Sequence, residues 1–161
     1  MKILIANYLD KQHAKDIGYL LNSYAKDTMG GGEELSSNII DNISLRLSQL
    51  PNSFTIICYV DNTPAGVMNC FENFSTFRCK PLINIHDIFV AKEFRGMGIA
   101  QKMLKKLEDE AKLRECCKIT LEVLEGNEIA QNLYKKFGFG GYELDPKIGK
   151  ALFWEKVIDN I

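Results

Sequence analysis

Between Leu82 and Ala111 the spacing of apolar residues changes once, and that change leaves few folds open to the chain. Leu82 to Val90 is rich in β-branched and aromatic residues with apolar side chains on both faces, the pattern of a strand inside a sheet. Arg95-Gly96-Met97-Gly98 follows, and two glycines one residue apart let the backbone turn tightly. From Ile99 the period is helical: Ile99, Met103, Leu107 and Ala111 recur every fourth residue, with Ala100 and Leu104 beside them and charged residues opposite. The unit is strand, glycine turn, helix.

That unit suits an anion. A helix start has unpaired N–H groups and the positive end of its dipole, and glycines let a phosphate approach the backbone. Arg95 and Lys102 add positive charge at the same end. The dinucleotide fingerprint Gly-x-Gly-x-x-Gly fails, because position 101 is Gln, and no Gly-Lys-Ser/Thr marks a P-loop. The competing explanation is an ordinary strand-to-helix turn with glycine for geometry alone.

The rest of the chain sets bounds. Its 161 residues fit one domain, 1–161, with a proper core, and 46% apolar with 25% charged content is ordinary for a soluble globular protein. A net charge of -1 gives no basic field to hold nucleic acid. No apolar run approaches membrane-spanning length, and no signal-peptide pattern opens the chain. The five cysteines, at 58, 70, 79, 116 and 117, have no metal-ligand spacing and read as reduced thiols in a cytoplasmic protein. No metal is expected.

In order, Lys2 to Leu9 predicts a strand, and Asp10 caps a helix from Lys11 to Thr28 with Ala14, Ile17, Leu20, Leu21 and Tyr24 inward. Gly30-Gly31-Gly32 ends that helix and is expected to be the most flexible point. A second helix fits Ser36 to Leu50, with Ile39, Ile43 and Leu47 in line. Phe54 to Val60 and Ala65 to Phe74 read as a hairpin, and Ser75 to Pro81 as a loop. Lys118 to Leu124 is a strand and Glu128 to Phe137 a helix with Gly138 at its end. Phe139 to Leu144 and Ala151 to Val157 read as a closing strand pair around an Asp145–Gly149 turn.

Arg95-x-x-Gly98-x-Ala100, the Val90 that ends the strand, Phe94-Arg95-Gly96 and the Asn127-to-Phe139 stretch resemble the GNAT superfamily of acyl-CoA-dependent N-acetyltransferases. The resemblance runs from about Ser53 to Lys156. It implies a mixed α/β fold, a central and mostly antiparallel sheet with helices on both faces. The cofactor it implies is acetyl-CoA: backbone groups of Ile88, Phe89 and Val90 hold the pantetheine and acetyl oxygen, and Arg95, Gly96, Met97, Gly98, Ile99, Ala100 and Gln101 receive the pyrophosphate. Asn127 contacts the pantetheine arm, and the Tyr134 hydroxyl protonates the leaving thiolate. Read from the residues alone, Asn127 is also a helix N-cap and Tyr134 a packing residue beside Leu133 and Phe137.

Within that superfamily the diamine and polyamine acetyltransferases look most similar. Their central strand reads Leu-Glu-Asp-Phe-Phe-Val, and this chain reads Ile85-His86-Asp87-Ile88-Phe89-Val90. His86 replaces a glutamate proposed to help deprotonate the amine. An imidazole titrates near ~6.5 and suits a base at neutral pH, but it does not attract a cation. His86 is a catalytic base or a histidine simply hydrogen-bonded within the sheet. Asp27, Glu33 and Glu34 border the acceptor or are merely solvated, and the direction of Glu72 and Glu122 stays open. The expectation is direct acetyl transfer, through a ternary complex, to the primary amine of a small molecule. The alternatives are a protein N-terminal or lysine acceptor, and an acyl-CoA-binding module without turnover. Family habit adds a homodimer through the last strands.

Overall fold

Asp10 starts the first helix as its position predicts. Its carboxylate accepts hydrogen bonds from the N–H groups of Gln12 and His13, both at 2.9 Å, and so satisfies donors that a helix leaves unpaired at its start. The computed structural model describes residues 1–143, 145–147 and 149–158. They divide into one unit from Met1 to Leu121 and a second from Glu122 onward. The first unit holds β1 (Lys2–Ile5), α1 (Lys11–Ala25), α2 (Ser37–Ser48), β2 (Ser53–Val60), β3 (Thr63–Ser75) and β4 (Lys80–Val90). A 3-10 turn (Lys92–Phe94), α3 (Ile99–Leu113) and β5 (Ile119–Leu121) complete it.

The strands lie in the order β1-β2-β3-β4-β5, antiparallel except for the parallel β4–β5 pair. Asp61 and Asn62, with φ of 48° and 64°, make the two-residue turn between β2 and β3. Helices cover both faces, as expected. On one face Ile57, Val67 and Phe89 pack with Ile17 and Leu20 of α1. On the other, Gly66 lies under α3, where a Cβ would stand 3.0 Å from Met103 Sδ. The predicted α3 stripe of Ile99, Met103, Leu104, Leu107 and Ala111 is the buried one. Full burial of an aliphatic side chain such as Leu107 contributes about 1.5–3 kcal/mol over leaving it in water.

One irregularity shapes everything that follows. β3 and β4 pair in step up to Cys70↔Ile85 and resume at Asn69↔Asp87, which leaves His86 without a partner in a β-bulge. The bulge resets the alternation of side chains, so Asp87 sits opposite Asn69 and two residues before the core residue Phe89. No described helix is long and apolar enough to cross a membrane.

Several boundaries differ from expectation. β1 stops at Ile5, because Asn7 turns the chain by accepting from Leu9 N–H at 3.0 Å through its side chain. α1 stops at Ala25 rather than Thr28. The triple glycine is folded back on the helix end, with Gly30 N–H on Asp27 O and Gly32 N–H on both Ala25 O and Asp27 O. A Cβ at Gly30 would lie inside the Tyr24 carbonyl. In α2, Leu47 is buried but Ile39 is exposed; its neighbour Ile40 is the residue that meets α1, at Gly18. β5 spans three residues, fewer than predicted, because β4 pairs with it only from Ile83 to Ile85.

The second unit contains α4 (Glu128–Lys136), with Asn127 Oδ1 capping Ala130 N–H at 3.1 Å and Gly138 at φ 92° after its end. The predicted closing strand pair is not formed among the described residues. A single antiparallel bridge, Glu143↔Lys150, stands in its place. Leu152, Phe153 and Trp154 are consecutive rather than alternating, so no one face of a strand would collect them, and all three are exposed. Leu144 and Ile148, parts of that expectation, lie outside the described residues.

Candidate active site

The glycine turn before α3 has the backbone its sequence demands. Gly96 and Gly98 have φ of 83° and 73°, a region where side chains are strained. A Cβ on Gly96 would meet no atom within 4 Å, and one on Gly98 only Gln101 Oε1 at 3.7 Å. Space therefore opens above the turn. The first intrahelical bond runs from Lys102 N–H to Gly98 O at 3.1 Å, which leaves the N–H groups of Ile99, Ala100 and Gln101 without helical acceptors. Open space, bare backbone and a dipole's positive end together fit a pyrophosphate.

Arg95 is turned elsewhere. Its Nη2 donates to Asp27 Oδ2 at 2.8 Å, its Nε donates to the Val90 carbonyl at 3.0 Å, and its guanidinium lies 5.6 Å from the centre of the Phe89 ring. Asp27 is 8% exposed in its side chain, and the Arg95 hydrogen bond, helped by Met29 N–H, holds its carboxyl below the usual carboxylate range. The charge Arg95 was expected to bring to the turn is shared with Asp27, 68 residues away in sequence. The groups left at the turn to meet an anion are backbone N–H groups and Lys102.

Ile88, Phe89 and Val90 end β4. One edge of them pairs with Met68, Val67 and Gly66 of β3. The ladder to β5 stops at Ile85↔Leu121, so from His86 to Val90 the other edge of β4 has no strand partner among the described residues. Apart from the Val90 carbonyl, which accepts from Arg95 Nε, backbone groups there face no strand among the described residues and suit a ligand in extended conformation.

His86 is 68% exposed in its side chain, with its ring 5.7 Å from that of Phe71 and its Nδ1 3.7 Å from Asp87 Oδ1. That separation is too long for a hydrogen bond. In the second unit Tyr134 is buried on α4, its ring edge-on to Phe139 at 5.8 Å. Asn127 serves as the N-cap of α4.

The acids near the triple glycine are largely engaged. Asp27 holds Arg95, and Glu34 accepts from Asn22 at 3.0 Å and stands 3.5 Å from Lys26. Asn22 first, then Lys26, keeps the Glu34 carboxyl below its ordinary range. Glu72 pairs with Arg114 at 3.1 Å. Sequence inspection missed two features because both join distant segments: the Asp27–Arg95 pair, and a line of polar side chains from Tyr8 through Thr55 and Asn69 to Asp87.

Comparison with known proteins bears on this geometry. The model of the acetyltransferase (GNAT) family matches residues 19–139. Thialysine N-epsilon-acetyltransferase of Bos taurus is 38% identical over 68 residues, 42% of this chain and 39% of that protein. A probable spermine N(1)-acetyltransferase of Bacillus subtilis subsp. natto is 42% identical over 52 residues, 32% of this chain and 34% of that protein. The matched stretch thus spans under two fifths of either relative's length. In fold, the chain is similar to the crystal structure of a probable acetyltransferase, with a TM-score of 0.83 at 20% identity over 99% of this chain and 100% of that one.

Proposed function

The chain belongs to the acetyltransferase (GNAT) family, and on that premise we propose that it transfers acetyl from acetyl-CoA to the primary amine of a small molecule. The observation that carries this is the junction of two features within one unit. An open glycine turn begins α3, and the edge of β4 just before it lacks a strand partner among the described residues. Bound acetyl-CoA would supply an activated thioester, with its pyrophosphate on residues 95–101 and its extended arm along Ile88, Phe89 and Val90. The two binding modes ask for what those segments offer, bare N–H groups in one case and an unpaired β edge in the other.

The residues of the chain have then to handle protons and position. A cationic amine loses one proton before its lone pair can attack; another leaves as the C–N bond forms and the C–S bond breaks, matched by the one the departing thiolate takes up. His86, exposed on the bulge, is proposed to receive the first, directly or through one water. Tyr134 is proposed to give the thiolate its proton, and Asn127 to cap α4 while touching the pantetheine arm. Direct transfer in a ternary complex follows, since no residue is asked to carry the acetyl group. Two relatives are named as thialysine and probable spermine acetyltransferases, and a cationic alkylamine is the acceptor class proposed for this chain. We regard residues 1–161 as one functional domain, because the family match crosses from the first unit into the second.

The test is release of free CoA from acetyl-CoA with and without a panel of amines. Release that requires a particular amine, with an N-acetyl product identified by mass, is expected. No amine-dependent release across the panel would leave a binding module and overturn the proposal.

A further inference from the structure

Resting on the acetyl transfer proposed above, we propose that Asp87 receives the ammonium group of the acceptor, and that Tyr8, Thr55 and Asn69 are positioning residues that aim it.

Four polar side chains cross the sheet in one line. Asn69 Nδ2 donates to Asp87 Oδ2 at 2.9 Å, Thr55 Oγ1 donates to Asn69 Oδ1 at 2.7 Å, and the Tyr8 hydroxyl lies 3.0 Å from Thr55 Oγ1. The direction of the line follows from counting protons. A threonine hydroxyl has one, and Thr55 uses it on Asn69, so Tyr8 must donate to Thr55. Turning the Asn69 amide over would set its oxygen against a carboxylate. Every proton therefore points toward Asp87. Tyr8 is suited to its place, since burial raises its pKa and keeps the hydroxyl protonated. Ser44 fixes Tyr8 in turn by donating to its carbonyl at 3.0 Å.

Thr55 is fully buried and Asn69 nearly so. Burying polar groups costs stability unless they are bonded, and an apolar trio would fill the same space more cheaply. The line makes sense as a support for a charge at its end. Asp87 has one oxygen held by Asn69, while its side chain is 24% exposed and so within reach of a ligand. Among the described residues no Lys or Arg pairs with it, and His86 Nδ1 stands 3.7 Å from the other oxygen. The carboxylate thus has one oxygen held in place and, among the described residues, no resident permanent cation.

Its surroundings suit an ammonium ion. Tyr24 stacks on Phe89 at 5.6 Å, and burial followed by the charges of Asp87 and Asp27 raises the pKa of its hydroxyl. Phe89 is buried and already carries the Arg95 guanidinium, so the half-buried Tyr24 ring, close enough to feel the charge of Asp87, is the aromatic group left to meet a cationic nitrogen. The bulge sets His86 next to Asp87, so an amine held by Asp87 adjoins the imidazole that takes its proton. Asp87 thereby supplies the attraction for a cation that an imidazole lacks. Asp27 is ruled out for that duty by its bond to Arg95.

The test uses the full chain with acetyl-CoA and two acceptors, n-butylamine and 1,4-diaminobutane, and measures kcat, KM and the acetyl-CoA Kd. Asp87→Asn keeps the shape and removes the charge. It should raise KM for both amines ~30-fold or more, with acetyl-CoA Kd within about twofold, as for loss of one charge-assisted contact to the acceptor. Asp87→Glu should recover part of the loss. Thr55→Val removes only a hydroxyl inside the line, and should raise amine KM ~3–10-fold at unchanged kcat, which a purely structural role would not do. If the wild-type protein turns over amines and Asp87→Asn leaves KM within about threefold, this inference fails while acetyl transfer stands. If Asp87→Asn does not fold, as judged by circular dichroism, Thr55→Val decides, and an unchanged amine KM overturns the inference. A wild-type protein that acetylates no amine overturns acetyl transfer itself, and this assignment with it.

Discussion

Replacing Asp27 by Asn keeps the outline of the side chain and removes the charge that Arg95 meets. In the structure Asp27 Oδ2 accepts from Arg95 Nη2 at 2.8 Å and Oδ1 accepts from Met29 N–H at 3.1 Å. An asparagine retains an oxygen for Met29, so the change isolates the pair with Arg95. Asp27 is 8% exposed in its side chain, but Arg95 is 48% exposed, so water screens the pair from one side. A fully buried pair broken at one partner costs about 3–5 kcal/mol, and an exposed one under ~1, which puts the expected loss at about 1–2 kcal/mol. Linkage gives the pH dependence its sign. The folded carboxyl titrates below its unfolded value because Arg95 hydrogen-bonds to the charged form. Its contribution is therefore whole above the unfolded pKa near ~4 and disappears as pH falls through the lower folded value. Urea unfolding of both proteins at several pH values is the assay. The difference in stability should be constant from pH ~7 down to ~5 and shrink steadily below ~4. A difference that is absent at neutral pH, or that persists unchanged at pH ~3, would refute the reasoning.

Three further outcomes follow from the site. Tyr134→Phe removes only a hydroxyl, and kcat should fall ~10²-fold with acetyl-CoA affinity nearly intact; turnover within about twofold would make Tyr134 a packing residue. His86→Gln should lower kcat/KM and abolish or move the acidic limb of its pH profile, and an unchanged limb would give the proton to another group or to water. Asn127→Ala removes the N-cap of α4 and should cost about 1 kcal/mol in unfolding experiments, while a rise in acetyl-CoA KM beyond that stability effect would indicate contact with the cofactor.

What could be read in the sequence was what is local. The period of α3, the two glycines before it and the Asp10 cap each depend on residues within a turn or two, and each is found where expected. The order of elements through α4 followed from the same cues and from the family resemblance. Pairing information was not available. The bulge at His86 exists only relative to β3, and it decides which face Asp87 occupies. Arg95 looked free for an anion because its partner lies 68 residues upstream. The line from Tyr8 to Asp87 joins the segment after β1 to three strands, and no spacing within the chain announces it. The closing strand pair was over-read for the opposite reason. Leu152, Phe153 and Trp154 have strand propensity, but a strand is made by its ladder, and among the described residues only one bridge forms there.

The claim on which the account depends most is that an acyl-CoA seats its pyrophosphate on the open turn at Gly96 to Gln101. Calorimetric titration of acetyl-CoA into the wild-type protein and into Gly98→Asp tests it most directly. The substitution adds a Cβ to a backbone at φ 73° and a carboxylate where the phosphate belongs. The expected result is a clear wild-type binding isotherm and a loss of affinity of ~10²-fold or more in a variant whose circular dichroism shows it folded. Equal affinity in the two folded proteins would contradict the account.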